Sequence, residues 1–518
     1  MKATRFFSLL LLAATCLSGY AQKVVSAQSP DGQTSVSVTL SDRIYYDLVS
    51  HGETLMMRTT SFLLALAIAL SAGAADFNIL KYGARADTAR LSTAALQKAI
   101  DDCSRAGGGR VVVPAGGYKI GSVVLKSNVH LYLEEGATLY GSTDIRDYLP
   151  MKSDYVSLRT QHNTLQLIYA DHVKNVCIDG LGTIDGRGGV FKKTTMEEAG
   201  ILRPHLIRFI RSEDILVRGI TLRNSGCWMQ HYLACDRMRI EGVTVFNHDN
   251  YNNDALDLDC CRDVVVTGMI TDTDDDGLTL KSTADRPCEN IRISDCIVSS
   301  HCNAVKMGTE SNGGFRNISI SGIIVRPSSN QDKKLYGLTQ GISAISLEIV
   351  DGGVLENVDV SDFIVEGTES PVFIRLGNRG RGYRFSSPDD DPTDFTRLIP
   401  IETVGRIDGV RISNFVIHGA GPTGCSVIGL PGHPVENITI SDITLHQQGG
   451  VTEAELPGIA ESIKNEKEKD YPEATMWGRL PAKGFFVRHA RNVQFSNIQI
   501  RTEHPDARPD FVRQDVGD

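Results

Sequence analysis

The chain has 518 residues, of which 41% are hydrophobic and 22% are charged, and this ordinary globular balance excludes a disordered chain. Its 63 acidic and 53 basic residues give a net charge of −10. That charge argues against a nucleic-acid-binding protein, because such proteins carry a basic patch. The length permits either several domains or one elongated fold.

The chain opens with a segment that has the layout of a secretory signal peptide. Residues 1–21 carry Lys2 and Arg5, then an apolar stretch too short for a transmembrane helix, then small residues. Residues 57–74 repeat that layout, starting with Arg58. Both segments predict export to the periplasm or the extracellular space, without a membrane span.

Residues 22–56, between the two signal-like segments, alternate between apolar and polar side chains as short strands do. They resemble the start of the β-sandwich of another class of secreted glycosidase. This suggests that two reading frames have been joined and that the mature protein is a single domain over 75–518. The alternative is a short N-terminal strand pair followed by a chance apolar segment.

A repeated strand pattern begins after a predicted amphipathic helix at 91–105. Each copy reads apolar, any, apolar, polar, then Gly, Asp or Asn, and copies occur from residue 176 to residue 497. Between 215 and 318 the step is about 23 to 27 residues, which indicates a solenoid, and the alternation favours β-strands over helices. Strands of successive coils would stack about 4.8 Å apart, with the helix capping the first coil.

Aligning successive coils by their apolar residues places polar residues in outward-facing columns. Charges of both signs in neighbouring coils indicate a groove that binds a polar ligand. One column contains Asp257, Thr279, Lys306 and Ser346, and the next contains Asp259, Lys281, Gly308 and Glu348, with Arg375 as its continuation.

Three aspartates converge at the start of these strands. Asp254 and Asp276 are one coil apart, so they should stack, and Asp275 lies beside Asp276. Carboxyl groups this close repel, which raises the pKa of at least one of them. A protonated acid beside an ionised partner is what glycosidic cleavage requires. Spacing alone leaves catalysis, a Ca²⁺ site and a solvated acidic turn as alternatives.

Three motifs at these spacings resemble glycoside hydrolase family 28, the polygalacturonases and related pectin hydrolases. They are Asn252-Asn253-Asp254, Asp274-Asp275-Asp276 and Gly308-Thr309-Glu310-Ser311. The resemblance covers most of 77–516 and implies an all-β, right-handed parallel β-helix with a short N-terminal capping helix. It also implies hydrolysis with inversion and no cofactor or metal. By this resemblance Asp275 is the general acid, and Asp254 and Asp276 activate water.

The chain departs from the family pattern at two places. The family's His-Gly has no clear counterpart, because His301 comes too early, and Ser346-Leu347-Glu348 stands where Arg-Ile-Lys is expected. In the family those two cations hold galacturonate carboxylates. The substrate-binding candidates are therefore His301, Lys306, Lys281, Arg375, Asn253 and Glu348, with Arg379 and Arg381 on a predicted loop.

The sequence as a whole predicts an exported, monomeric glycoside hydrolase. Its expected substrate is a galacturonic-acid-containing pectic polysaccharide or oligosaccharide, with exo-acting or rhamnogalacturonan-directed cleavage both open. One alternative is a Ca²⁺-dependent β-helix lyase, whose product would absorb in the ultraviolet. The other is a non-catalytic carbohydrate-binding β-helix, in which Asp275→Asn would change nothing.

Overall fold

The computed structural model describes residues 23–28, 34–40, 44–50, 53–55, 76–159, 165–194, 202–387, 389–390 and 394–518. The chain divides into two compact units, Met1–Ala75 and Asp76–Asp518. Both signal-like segments, 1–21 and 57–74, lie outside the described residues, so their assignment stays a prediction. No helix within the described ranges has the length and apolarity needed to cross a membrane.

The first unit contains a four-stranded antiparallel sheet. Its strands pair in chain order, so each is hydrogen-bonded to the next. The strands are β1 (Lys23–Gln28), β2 (Thr34–Leu40), β3 (Ile44–Ser50) and β4 (Glu53–Leu55).

The second unit begins with the predicted capping helix. Helix α1 (Thr93–Arg105) buries Leu96, Ala99, Ile100 and Cys103 on one face. This face packs against the first strands of the unit, where it covers the apolar end of the solenoid. A second helix, α2 (Leu456–Ser462), lies in the segment that precedes the last long strand.

Thirty-one strands follow one another in this second unit and form a single parallel assembly. They are β5 (Asp76–Asn78), β6 (Gly109–Val113), β7 (Gly116–Ile120), β8 (Val123–Val124), β9 (Val129–Leu133), β10 (Ala137–Gly141), β11 (Gln166–Asp171), β12 (Lys174–Gly180), β13 (Thr183–Asp185), β14 (His205–Ile210), β15 (Glu213–Arg218), β16 (Thr221–Arg223), β17 (Gln230–Leu233), β18 (Asp236–Glu241), β19 (Thr244–Asn247), β20 (Leu256–Asp259), β21 (Arg262–Thr267), β22 (Ile270–Thr273), β23 (Leu278–Ser282), β24 (Cys288–Ser294), β25 (Ile297–Ser300), β26 (Asn303–Ser311), β27 (Phe315–Arg326), β28 (Ser343–Ile349), β29 (Val354–Glu366), β30 (Val372–Leu376), β31 (Arg406–Ala420), β32 (Cys425–Ile428), β33 (Val435–Gly449), β34 (Phe485–His504) and β35 (Phe511–Gly517).

Pairing between coils follows the predicted solenoid. In the middle of the unit each strand pairs with the strand three positions later, for example β17 with β20 and β20 with β23. Three parallel sheets therefore run along the unit, and their inward-facing apolar side chains form one continuous core. The predicted right-handed parallel β-helix with an N-terminal capping helix is confirmed.

The register through β20, β23, β26 and β28 agrees with the sequence alignment as far as Met307. Leu256, Leu278, Val305 and Ile345 stack inside the core, and Asp257, Thr279, Lys306 and Ser346 form the outward column. The predicted alignment of Lys281 with Gly308 is wrong, because the register shifts after Met307. Residues 308–310 form a bulge at this point, and bulges redirect side chains.

Candidate active site

The three predicted aspartates lie at the amino ends of two stacked strands. Asp254 precedes β20, and Asp275 and Asp276 precede β23. The Ala255 amide donates a hydrogen bond to the Asp276 carbonyl over 3.1 Å, so adjacent coils place Asp254 beside Asp276. The carboxylate oxygens of Asp275 and Asp276 lie within 4.8 Å of each other. The structure therefore brings the three carboxyl groups together.

The carboxyl group of Asp276 is held in its ionised form. The Asn303 backbone and side-chain amides donate to its Oδ1 over 3.1 and 2.8 Å, and Lys306 Nζ lies 3.2 Å from its Oδ2. Burial by itself raises the pKa of Asp276, but Lys306, Lys281 and the Asn303 amide outweigh burial and leave the pKa below its usual value. Asp276 is thus a candidate general base.

Asp275 has the opposite character. Burial, followed by the negative charge of Asp276, raises its pKa above the usual value. It is the only partly exposed member of the trio, whereas Asp254 and Asp276 are each 3% exposed. A partly exposed carboxyl group with a raised pKa is suited to act as a general acid.

Asp254 lies in a buried group of acids that share one lysine. Lys281 Nζ lies 3.5 Å from Asp254 Oδ2, 3.3 Å from Asp257 Oδ1 and 3.8 Å from Glu310 Oε2. Burial and the Asp257 charge raise the pKa of Asp254, and burial raises the pKa of Asp257 to about 7. Lys281 therefore compensates the charge of several acids.

Lys306, the second predicted lysine, is also engaged by protein groups. Besides Asp276, its ammonium group contacts Tyr471, donating to the phenol oxygen over 3.1 Å. Lys306 is 1% exposed, so it is placed to keep Asp276 ionised. A direct substrate contact by its ammonium group would compete with these two partners.

His301 and Arg375, predicted to bind substrate, are enclosed by the protein. The two ring nitrogens of His301 lie 3.1 Å from the Thr339 carbonyl oxygen and 2.9 Å from that of Asn330. Arg375 donates to the Gly429 carbonyl over 3.0 Å and to the Glu466 carbonyl over 2.6 Å. These side chains are 0% and 1% exposed and hold neighbouring segments in place, and their substrate contact stays a prediction.

Asn253 and Glu348 are buried as well. The Asn253 side chain donates to the Asn247 carbonyl over 2.7 Å and fixes the turn before Asp254, and its substrate contact stays a prediction. Glu348 Oε1 accepts from the Ser346 hydroxyl over 2.6 Å, and burial raises its pKa to about 7. Glu348 is fully buried, and its substrate contact stays a prediction.

Sequence reasoning missed the residues that cover the site from distant segments. The Arg159 guanidinium donates to Glu310, and Lys281 Nζ lies 4.7 Å from the centre of the Trp228 ring. Glu473, from the segment after α2, is 6% exposed, and burial raises its pKa to about 8. Of these residues only Glu310 lies in a motif described above, and Arg159 and Trp228 carry no local signal.

Cys302 joins Asp275 and Asp276 in a group whose ligand atoms all lie within 4.8 Å of one another. Such a group could in principle hold a metal ion. Ca²⁺ prefers oxygen ligands, however, and burial raises the pKa of the Cys302 thiol, which disfavours the thiolate. The Lys306 ammonium beside Asp276 would also repel a cation. The donor set therefore suits acid–base chemistry better than calcium binding.

The parallel β-helix and two neighbouring carboxyl groups, Asp275 and Asp276, whose pKa values shift in opposite directions, point to a class of protein, the β-helical carbohydrate-cleaving enzymes. Residues 103–374 match the sequence model of the glycosyl hydrolases family 28. The chain belongs to this family and is a glycoside hydrolase similar to polygalacturonases and rhamnogalacturonases. Membership of a hydrolase family disfavours both the lyase and the non-catalytic alternative.

Individual relatives agree with this assignment. A probable polygalacturonase of Vitis vinifera is 28% identical over 399 residues, which cover 73% of this chain and 76% of that protein. An exo-poly-alpha-D-galacturonosidase of Dickeya chrysanthemi is 37% identical over 156 residues, covering 28% and 25% of the two chains. The family 28 exopolygalacturonase of Yersinia enterocolitica shares the fold, with a TM-score of 0.61, 15% identity and coverage of 95% and 87%.

Proposed function

We propose that the protein is an exported, inverting hydrolase of galacturonic-acid-containing pectic polysaccharides or oligosaccharides. The observation that carries this proposal is the opposite direction of the pKa shifts of Asp275 and Asp276, whose carboxylate oxygens lie within 4.8 Å. The export part rests on the signal-like segments 1–21 and 57–74.

Asp275 is the proposed general acid. Its proton passes to the glycosidic oxygen as the bond from that oxygen to the anomeric carbon breaks. Partial exposure lets Asp275 reach the leaving oxygen and later recover a proton from solvent.

Asp276 and Asp254 are the proposed water-activating pair. The oxygen of a water molecule bonds to the anomeric carbon from the opposite side, and Asp276 accepts the proton that this water loses. Asp254 Oδ1 has no hydrogen-bond partner in the described part of the chain, so it can accept a hydrogen bond from the same water. The general rule links inversion to a wider carboxylate gap than 4.8 Å. Asp275 and Asp276 are consecutive residues and therefore lie closer than this rule expects, so inversion here rests on the family resemblance.

The proposed substrate class follows from the relatives, because the Vitis protein is named a polygalacturonase. The Dickeya relative is named an exo-acting galacturonosidase, which favours removal of terminal residues. A rhamnogalacturonan-directed activity remains the second form of the same proposal, since the chain lacks the family's Arg-Ile-Lys.

The test is hydrolysis of galacturonan and rhamnogalacturonan oligosaccharides, with the anomeric form of the first product read by NMR. We expect Asp275→Asn to lower kcat by about 10²–10⁴-fold, the usual contribution of a general acid. Asp263→Asn, at an exposed aspartate of the same β-helix, is the matched control and should retain full activity. Equal activity in both variants would refute the role of Asp275, and a retained anomeric configuration would refute inversion.

A further inference from the structure

A uronate substrate brings negative charge, so an enzyme that selects it needs a cation whose charge is still available. The lysines of the site do not meet this condition. Lys281 contacts three carboxyl groups, and Lys306 lies 3.2 Å from Asp276. Their charges stabilise the acids of the site and leave little for a ligand.

The nearby arginines are also engaged, with one exception. The Arg159 guanidinium is paired with Glu310, and Arg381 Nη2 lies 2.7 Å from Asp351 Oδ2. Arg375 is occupied by two backbone carbonyls. Arg375 and Arg379 have no carboxylate within 4.0 Å in the described part of the chain, and of these two only Arg379 has a buried guanidinium nitrogen without a hydrogen-bond partner.

Arg379 carries an unsatisfied charge. It lies on the loop after β30, and its Nη1 is buried without a hydrogen-bond partner among the described residues. Burial and the neighbouring Arg381 lower the pKa of Arg379, and the charges of Asp351 and Glu310 offset this only in part. An unpaired buried donor costs free energy, and a ligand carboxylate would remove that cost.

A series of contacts connects Arg379 to the trio of aspartates. Its guanidinium carbon lies 5.3 Å from the centre of the Tyr471 ring. The phenol oxygen of the same Tyr471 accepts a hydrogen bond from Lys306, which in turn contacts Asp276. One aromatic side chain therefore separates Arg379 from the lysine that holds the proposed base.

A second series of contacts reaches the trio from the other side. Arg381, two residues beyond Arg379, lies 3.6 Å from Glu310 Oε1. Glu310 contacts Lys281, and Lys281 contacts Asp254. The Arg379 loop is thus connected to both flanks of the site.

We propose that Arg379 is the specificity-determining residue that binds the carboxylate of a uronate unit next to the cleaved bond, with Tyr471 positioning its guanidinium. This inference rests on the proposed function. Ser346-Leu347-Glu348 in β28 offers no cation where the family has Arg-Ile-Lys. Arg379, on the loop after β30, would supply the missing positive charge. The planar fork of an arginine suits a carboxylate, which it can bind through two parallel hydrogen bonds.

The first test compares free and methyl-esterified oligogalacturonates as substrates of the full chain. We expect Arg379→Gln to raise KM for the free acid by about tenfold to a hundredfold, the range of a lost charge-assisted hydrogen bond. KM for the neutral ester should stay within about twofold, since it has no carboxylate to lose. An equal change for both substrates, or no change for either, would overturn the inference.

The matched control is Arg384→Gln. Arg384 lies on the same loop, its side chain is 62% exposed, and it lies 3.6 Å from Asp285. Removing it changes the net charge equally, so KM for the free acid should stay unchanged. If Arg384→Gln matched Arg379→Gln, the effect would come from overall charge. Should Arg379→Gln fail to fold, Arg379→Lys keeps the charge without the fork and should still raise KM for the free acid selectively.

Binding measurements separate this inference from the proposed function. Calorimetry of digalacturonate binding to Asp275→Asn should give an affinity that falls at least tenfold when Arg379→Gln is added. If digalacturonate binds in this way but the unmodified chain does not hydrolyse it, the proposed function is wrong and the role of Arg379 stands. If the added substitution leaves the affinity for digalacturonate unchanged, or if digalacturonate does not bind to Asp275→Asn, the proposed role of Arg379 is wrong.

Discussion

The inner and outer faces of the same four strands are buried to a similar degree for different reasons. Inside, Leu256, Leu278, Val305 and Ile345 stack on one another, and every coil repeats the same contact. Outside, Asp257 and Lys306 are buried because single residues from distant segments, such as Arg159 and Tyr471, cover this region. The inner stack stabilises the fold by repetition, whereas the outer site depends on contacts that occur once.

Removing the proposed base should have the largest effect. We expect Asp276→Asn to lower kcat by about 10²–10⁴-fold, because the side chain can no longer accept a proton from water. Initial rates under saturating substrate measure this change. A kcat near that of the unmodified protein would show that another group acts as the base.

A substitution that leaves a cavity in the inner stack should lower the stability of the fold without lowering kcat. Leu280 is fully buried in the core next to Lys281, and Leu280→Ala should destabilise the fold by about 2–5 kcal/mol. Thermal unfolding measures the loss. The kcat of the folded protein should be nearly unchanged, because residue 280 faces away from the acids. A fall in kcat as large as that of Asp276→Asn would show that the two faces are not independent.

The smallest expected effect is a pH-dependent one at Glu473. Its pKa is about 8 in the folded protein and 4.5 in the unfolded chain. The folded state therefore binds more protons between these values, and the contribution of Glu473 to stability is lost as pH rises through about 8.

Glu473→Gln removes this titration and should raise Tm at pH 8.5 by a few degrees relative to the unmodified protein. The difference should shrink towards pH 5, where the protonated acid and the amide are both neutral. Thermal scans from pH 5 to pH 9 measure it. A difference that does not vary with pH would contradict the assigned pKa.

Register and fold were predictable from particular residues. The 22-residue step from Asp254 to Asp276 and the apolar pairs Leu256 with Leu278 and Leu258 with Leu280 identify which residues become neighbours one coil later. The alignment failed after Met307, because the bulge at 308–310 has no counterpart in the apolar pattern.

The substrate-binding candidates were less predictable. His301 and Arg375 carry polar side chains at positions that resemble a binding site, but each is hydrogen-bonded to backbone carbonyls of other segments. The assignment of Asp254, Asp275 and Asp276 to catalysis remains a proposal, supported by their proximity and by the opposite pKa shifts of Asp275 and Asp276.

The sequence alone determined the parallel β-helix, the stacking of its coils and the meeting of three aspartates, because alternation and a nearly regular coil length in the middle of the chain act between nearby residues. Only the tertiary structure decided in which direction the pKa of each acid shifts and which cation has an unpaired nitrogen. Those properties depend on Lys306 with Tyr471, 165 residues away along the chain, and on Arg159 with Glu310, 151 residues away. Burial and charge depend on all atoms nearby in space. A contact that a loop makes only once follows no repeat in the sequence, so the sequence pattern does not predict it.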